Sequence, residues 1–137
     1  MVKCEALGMI EVCKNNPIIQ SQTDVKNYSF IEDDGDLYLI SNVISGDKAY
    51  VDDTVIPAGE YLNGFLVKAW EGQKLVIDGK HVTGGIAEVE KDAILTVAED
   101  GSLEVAEEAP ESGVYFKVTD TGIVLTEAAV KAKVVIA

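Results

Sequence analysis

Arginine is absent from this chain, and histidine and tryptophan occur once each, as His81 and Trp70. Positive charge therefore rests on 11 lysines set against 24 acidic residues, a formal balance of −13. A surface that acidic repels nucleic-acid phosphates, and no basic patch offsets it, so no nucleic-acid partner is expected. The charge is that of a solvated acidic face that keeps the chain soluble, with a basic or cationic partner as the alternative. The single histidine restricts catalysis as severely. Any Ser-His-Asp or Cys-His site would have to use His81, which follows Asp78-Gly79-Lys80 in an expected turn. No serine lies in a G-x-S-x-G setting, and the P-loop and G-x-G-x-x-G patterns are missing. Carboxylates are so numerous that no particular pair points to glycoside hydrolysis. The expectation is a non-enzymatic protein with no catalytic residue, no metal and no cofactor.

Cysteine is scarce too. Cys4 and Cys13 are separated by an odd interval, which puts them on opposite faces of a continuous strand. Two reduced, buried thiols are expected, and His81 does not complete a zinc set with them. No apolar run approaches the ~18–20 residues of a membrane-spanning helix. Glu5 and Glu11 interrupt the first residues, against a signal peptide. The expected setting is a cytoplasm, with no membrane partner.

What is present is a folding sequence, 47% apolar and rich in Val, Ile, Ala and Gly. Its 137 residues suit one domain or two very small ones. The apolar residues come in short runs cut by glycine and proline, the rhythm of strands. In the central stretch, Ala49 to Val82, Phe65–Ala69 and Lys74–Asp78 read as two strands of a hairpin turning through Trp70-Glu71-Gly72-Gln73. A helix from Glu60 to Trp70 is the rival, with Gly64 against it. Upstream, Val2 to Val12 reads as a strand or arm with Gly8 as a bulge, Asn15-Asn16-Pro17 as a turn and Gln20–Lys26 as a loop. Tyr28–Ile31 and Leu37–Ile40 flank an Asp-Gly turn, as do Ala93–Val97 and Leu103–Val105. Val114–Thr119 alternates with period 2, Asp120-Thr121-Gly122 is expected to turn the chain, and Val130–Ile136 alternates again. A helical turn over Thr126–Ala132 is the competing reading of that last segment.

These signals give an all-β fold: a small β-sandwich or barrel of short antiparallel strands, in one core or in two small β lobes. The divisions are an N-terminal strand or arm over 1–16, a β lobe over 17–83 and a C-terminal β lobe over 84–137. The last boundary falls at Thr83-Gly84-Gly85. The acidic turn Asp33, Asp34 and Asp36, with Asp52 and Asp53 as further oxygen donors, invites a calcium reading. It lacks the D-x-D-x-D-G register and a distal glutamate, and Asp and Gly are what a tight turn needs anyway. Tyr50, Tyr61 and Trp70 are the candidate partner-contact residues, because aromatics concentrate at interface hot spots. Each has the core as its alternative, Trp70 above all.

The block Ala49–Val82, together with Gly113-Val114-Tyr115-Phe116-Lys117-Val118 and Ala129–Val134, resembles small structural proteins of tailed bacteriophages that decorate or cement the head. The likeness covers roughly the central and C-terminal two-thirds of the chain and rests on phrase and layout, with no catalytic motif. It implies a virion structural protein on the capsid surface, made in a host bacterial cytoplasm. The implied partner is the major capsid protein of a tailed phage, and the implied assembly a homo-oligomer, commonly a trimer. Under that resemblance the arm over residues 1–16 would order only on the capsid. A tail or baseplate connector is the first alternative. A carbohydrate-binding module, with Trp70 and the tyrosines as a sugar-stacking platform, is the second.

Overall fold

A computed structural model describes residues 2–4, 18–41, 55–124 and 128–137. The described chain is all-β, as expected. The strands are β1 (Val2–Cys4), β2 (Ile18–Gln20), β3 (Val25–Lys26), β4 (Phe30–Asp33), β5 (Asp36–Ile40) and β6 (Val55–Ile56). They continue with β7 (Tyr61–Leu66), β8 (Lys74–Asp78), β9 (Ile94–Val97), β10 (Leu103–Ala106), β11 (Val114–Val124) and β12 (Ala128–Ile136). A six-stranded sheet runs in the order β1-β8-β12-β11-β9-β10, and a four-stranded sheet in the order β2-β7-β5-β4. A ribbon of β3 and β6 completes the set. The strand pairs within the sheets are antiparallel.

Side-chain alternation along β5 explains the layering. Leu39 joins a core shared with the six-stranded sheet, whereas Tyr38 and Ile40 join a smaller cluster with Ile19, Val25, Ile56 and Leu62. The four-stranded sheet is thus a middle layer, apolar on both faces, with the larger sheet on one side and the ribbon on the other. In the main core the rings of Phe30 and Phe116 lie 5.2 Å apart across the two sheets. Strand pairing crosses the expected boundary at Thr83-Gly84-Gly85, since β8 pairs with β12 and Val82 bridges Leu103.

The two Asp-Gly hairpins form where the sequence places them. Asp34 and Gly35 both take positive φ, 50° and 82°, the twist that a two-residue hairpin turn requires. The second turn closes through Ala98 N–H to Ser102 C=O at 2.8 Å, with Gly101 at φ 85°. Gly101 is also fixed by a neighbour. Its C=O accepts Phe30 N–H at 2.8 Å, and a Cβ on it would stand 2.9 Å from the Phe30 carbonyl oxygen.

Three expectations are corrected. Phe65–Ala69 does not pair with Lys74–Asp78: β7 ends at Leu66 and pairs with β5 and β2, while β8 pairs with β12 and β1. Between them Val67–Trp70 is a 3₁₀ turn that carries the chain from one sheet to the other. A continued strand would put Lys68 and Trp70 on one face. The 3₁₀ spacing instead buries Val67 with Trp70 and leaves Lys68 outside to meet Asp36 at 2.9 Å. Asp120-Thr121-Gly122 does not turn the chain, because β11 runs through it with two register shifts against β12. The Asp120 carboxylate there accepts the Thr119 hydroxyl at 2.8 Å and Lys74 Nζ at 3.2 Å, which anchors the bulged segment. Finally, Gln20–Lys26 is not all loop: it holds the end of β2 and the whole of β3. The segment Val130–Ile136 is strand, and over Ala128–Ala132 the helical alternative gives way to pairing with β8 and β11, Thr126 and Glu127 lying outside the described residues. Gly8, Cys13, the turn at Asn15-Asn16-Pro17, and Tyr50, Asp52 and Asp53 lie outside the described residues.

Gly101→Ala should destabilise the protein by about 1–3 kcal/mol in urea unfolding, combining a left-handed backbone with a backbone clash. Gly35→Ala, where nothing stands within 4 Å, should cost about 1 kcal/mol, the backbone strain alone. Equal losses at the two positions would refute the clash.

Candidate functional site

The three aromatic contact candidates have separate fates. Trp70 is 0% exposed, stacked on Phe65 with ring centroids 6.1 Å apart. It is a core anchor, so its candidacy as a contact residue or as a sugar platform is corrected: an enclosed indole face cannot stack a ligand in the folded protein. Its Nε1–H is buried without an acceptor among the described residues, so van der Waals packing alone holds the ring. Tyr50 lies outside the described residues. Tyr61 is 67% exposed at the start of β7, paired across the sheet with Gln20.

Tyr61 is not isolated. Val55, 50% exposed, lies in β6, and the exposed Pro57 and Ala58 follow in the turn from β6 to β7. Gln20 Nε2 donates to the Gly59 carbonyl at 2.6 Å, Gly59 N–H to the Ser21 carbonyl at 2.9 Å and Ala58 N–H to Asp24 Oδ1 at 2.9 Å. A small apolar knuckle is therefore held out from the fold by polar bonds at its base.

His81 ends a second 3₁₀ turn, Gly79–His81, in which the Asp78 carboxylate accepts Lys80 N–H at 3.2 Å. It is 7% exposed, 3.7 Å from Asp78 Oδ1 and edge-on to Tyr28 at 6.0 Å. The turn is the expected one, but it folds inward. Ser102, which shares a cavity with His81, has its hydroxyl committed to Asp100 at 2.6 Å and to Thr83 at 2.8 Å. The sole histidine is thereby built into the packing between two turns. In the acidic turn, Asp36 Oδ1 pairs with the Lys68 ammonium at 2.9 Å. The described residues contain no group of three or more His, Cys, Asp or Glu arranged to hold a metal ion.

Among the described residues, clefts open between the sheets. One, about 530 Å³, lies between the β4–β5 hairpin and the start of β11, with Lys68, Asp36 and Ile136 at its rim. The other, about 620 Å³, lies between β4 and the turn joining β9 to β10. Asp24, Glu32, Glu99 and Asp100 surround it, with Phe30, Leu37 and Val97 as apolar wall. The sequence shows the two turns that make this cleft but not their apposition, which depends on the Phe30–Gly101 backbone contact. The cleft carboxylates were accordingly missed, and no local signal marks them.

Ser102 lowers the pKa of Asp100, first by its hydroxyl and then by its backbone N–H at 3.0 Å. No family model, curated protein or solved structure matches the chain in comparisons with known proteins.

A carboxyl NMR titration should place Asp100 below the ordinary value of 3.8, and Ser102→Ala should move it back up. Because the folded value is the lower one, this interaction stabilises the fold fully above the ordinary value. It is lost as pH falls through the folded value.

Proposed function

We propose that this chain is a non-enzymatic structural protein that binds the outside of a tailed-phage capsid and decorates or cements it. The observation that carries the reading is the division of its apolar side chains. Trp70, Phe30, Phe65 and Phe116 are built into the core, while Pro57 and Ala58 on one braced turn, and Val55 and Tyr61 in the strands that flank it, are exposed. Such a knuckle is too small to drive self-association of the free protein, yet it suits a pocket presented in many copies on a preformed shell. The net charge of −13 keeps a β-rich chain soluble at high copy number until that shell is met. The placing of His81 inside the packing also favours binding over turnover. In this reading the partner is the major capsid protein, the protein acts as a homo-oligomer with a trimer favoured, and it passes from the host cytoplasm to the virion surface.

Co-sedimentation with tailed-phage heads stripped of their own decoration, both expanded and unexpanded, tests this reading. Saturable binding to expanded heads is expected, and Tyr61→Ala should weaken it by about 1–2 kcal/mol, the scale of an aromatic hot spot. The absence of saturable binding to either form would overturn it. Trp70→Ala should cost about 3–5 kcal/mol of folding stability. Where that variant remains folded, its head binding should equal that of the native protein.

A further inference from the structure

We propose that the outer face of the six-stranded sheet, where β8, β12 and β11 carry a row of lysines, is an interface that receives exposed carboxylates of a second copy of this chain. Leu75, Phe116, Val118, Ala132 and Val134 belong to the core. Strand alternation therefore sends Lys74, Lys117 and Lys133 to the opposite face. The register then lines them up: Lys117 stands directly across from Lys133, and Lys133 from Lys74. Neighbouring strands are about 4.8 Å apart, so the row is about 10 Å long. Lys131, two residues before Lys133 on β12, alternates to the same face. The sequence contains no basic run, because the row is assembled from three strands.

Two observations set this row apart from an ordinary solvated face. The first is its cost. Like charges directly opposite one another destabilise a sheet, although the chain has 24 acidic residues with which to neutralise them. Only one end of the row is neutralised, where Lys74 Nζ meets Asp120 Oδ2 at 3.2 Å. Lys117 and Lys133 are exposed and make no ion pair among the described residues. The second is the ground beside them. Tyr115 lies across from Val135, and Ile94 lies across from Lys117; all three are half-buried on that same outer face. Unneutralised charge bordered by aromatic and aliphatic surface is the composition of a contact face.

The occupant follows from the rest of the surface. Lysines call for carboxylates, and the molecule presents them on exposed segments elsewhere. Glu32, Asp33 and Asp34 lie at the tip of the β4–β5 hairpin, and Glu107, Glu108 and Glu111 lie in the loop before β11. Each copy thus holds both halves of the contact. Nucleic acid is disfavoured, because phosphates are repelled by the net charge of −13 everywhere beyond the row. Between copies that net charge is screened beyond about 8 Å at physiological salt, whereas ion pairs in contact are screened much less. A two-fold pairing of this face would set lysine against lysine, so it must meet a different part of the next copy. Head-to-tail contacts of that kind close into rings. This interface rests on the homo-oligomer of the proposed function, and it is a different surface from the Tyr61 knuckle that meets the capsid.

Sedimentation equilibrium of the native chain should show a closed oligomer, and Lys117→Glu with Lys133→Glu should reduce it to monomer at the same concentration. Lys26→Glu with Lys91→Glu makes the same change in net charge at exposed lysines outside the row, and should leave the oligomer intact. Carbodiimide coupling of an equal mixture of isotope-labelled and unlabelled chains should join Lys117 or Lys133 of one copy to a carboxylate of another. Mass spectrometry reads such links as mixed-label peptide pairs. A native chain that is monomeric at every concentration would overturn this interface together with the homo-oligomer, while head binding is judged by its own co-sedimentation. An oligomer that survives reversal of the row, that both double variants dissolve equally, or whose mixed-label links avoid the row would overturn this interface alone. The coupling needs no substitution, so it decides the matter even where a variant folds poorly.

Discussion

One backbone hydrogen bond, from Phe30 N–H to the Gly101 carbonyl at 2.8 Å, ties the edge of the four-stranded sheet to the hairpin of the six-stranded one. Much else in the fold is arranged around that contact. It requires a residue at 101 with no side chain and a left-handed backbone, which glycine meets without strain. It brings Phe30 over Phe116, so that the two sheets share one core. It also sets the distance between the two hairpins, and hence the width of the acidic cleft beside it. Asp100, the residue before the clasp, is pinned by Ser102, and Ser102 in turn by Thr83. The contact therefore sits within a short polar chain that reaches the turn holding His81.

Much of the local structure is legible in the sequence because turn chemistry is local. Asp34-Gly35 and Asp100-Gly101 mark both hairpins, and Lys74–Asp78 has the observed bounds of β8. The alternation over Val114–Thr119 and Val130–Ile136 marks the two longest strands. What the sequence does not reveal is which strands meet. Phe65–Leu66 and Lys74–Asp78 look like partners because they are near in sequence, yet a four-residue 3₁₀ turn sends them to different sheets. The signal for that turn is the pair Val67 and Trp70, three apart, with Lys68 and Ala69 between them. A short strand accommodates the same letters, so the signal is ambiguous until the core claims the indole.

The candidate site was legible only in part, and for the same reason. Aromatic type singles out Tyr61 and Trp70 alike, but exposure separates them completely, and exposure is a tertiary property. The cleft carboxylates are the opposite case. In a chain with 24 acidic residues, no single one is conspicuous until folding gathers four of them around one space. Charge that is featureless along the sequence becomes a directed field once two turns face each other.

The position of β12 has a consequence for how this protein comes to be folded. It lies between β8 and β11 in the six-stranded sheet, yet it follows β9, β10 and β11 in the chain. Until it arrives, β8 has a bare edge on one side, carrying Leu75, Val76 and Ile77. The hairpins, β11–β12 among them, close quickly and on their own, whereas the large sheet closes only when the β12 edge of that hairpin docks on β8. Until that docking, the edges of β8 and β12 are both open to pairing with other chains. The dense negative charge that the finished protein wears on its surface protects it most in that interval, by keeping such half-made chains apart.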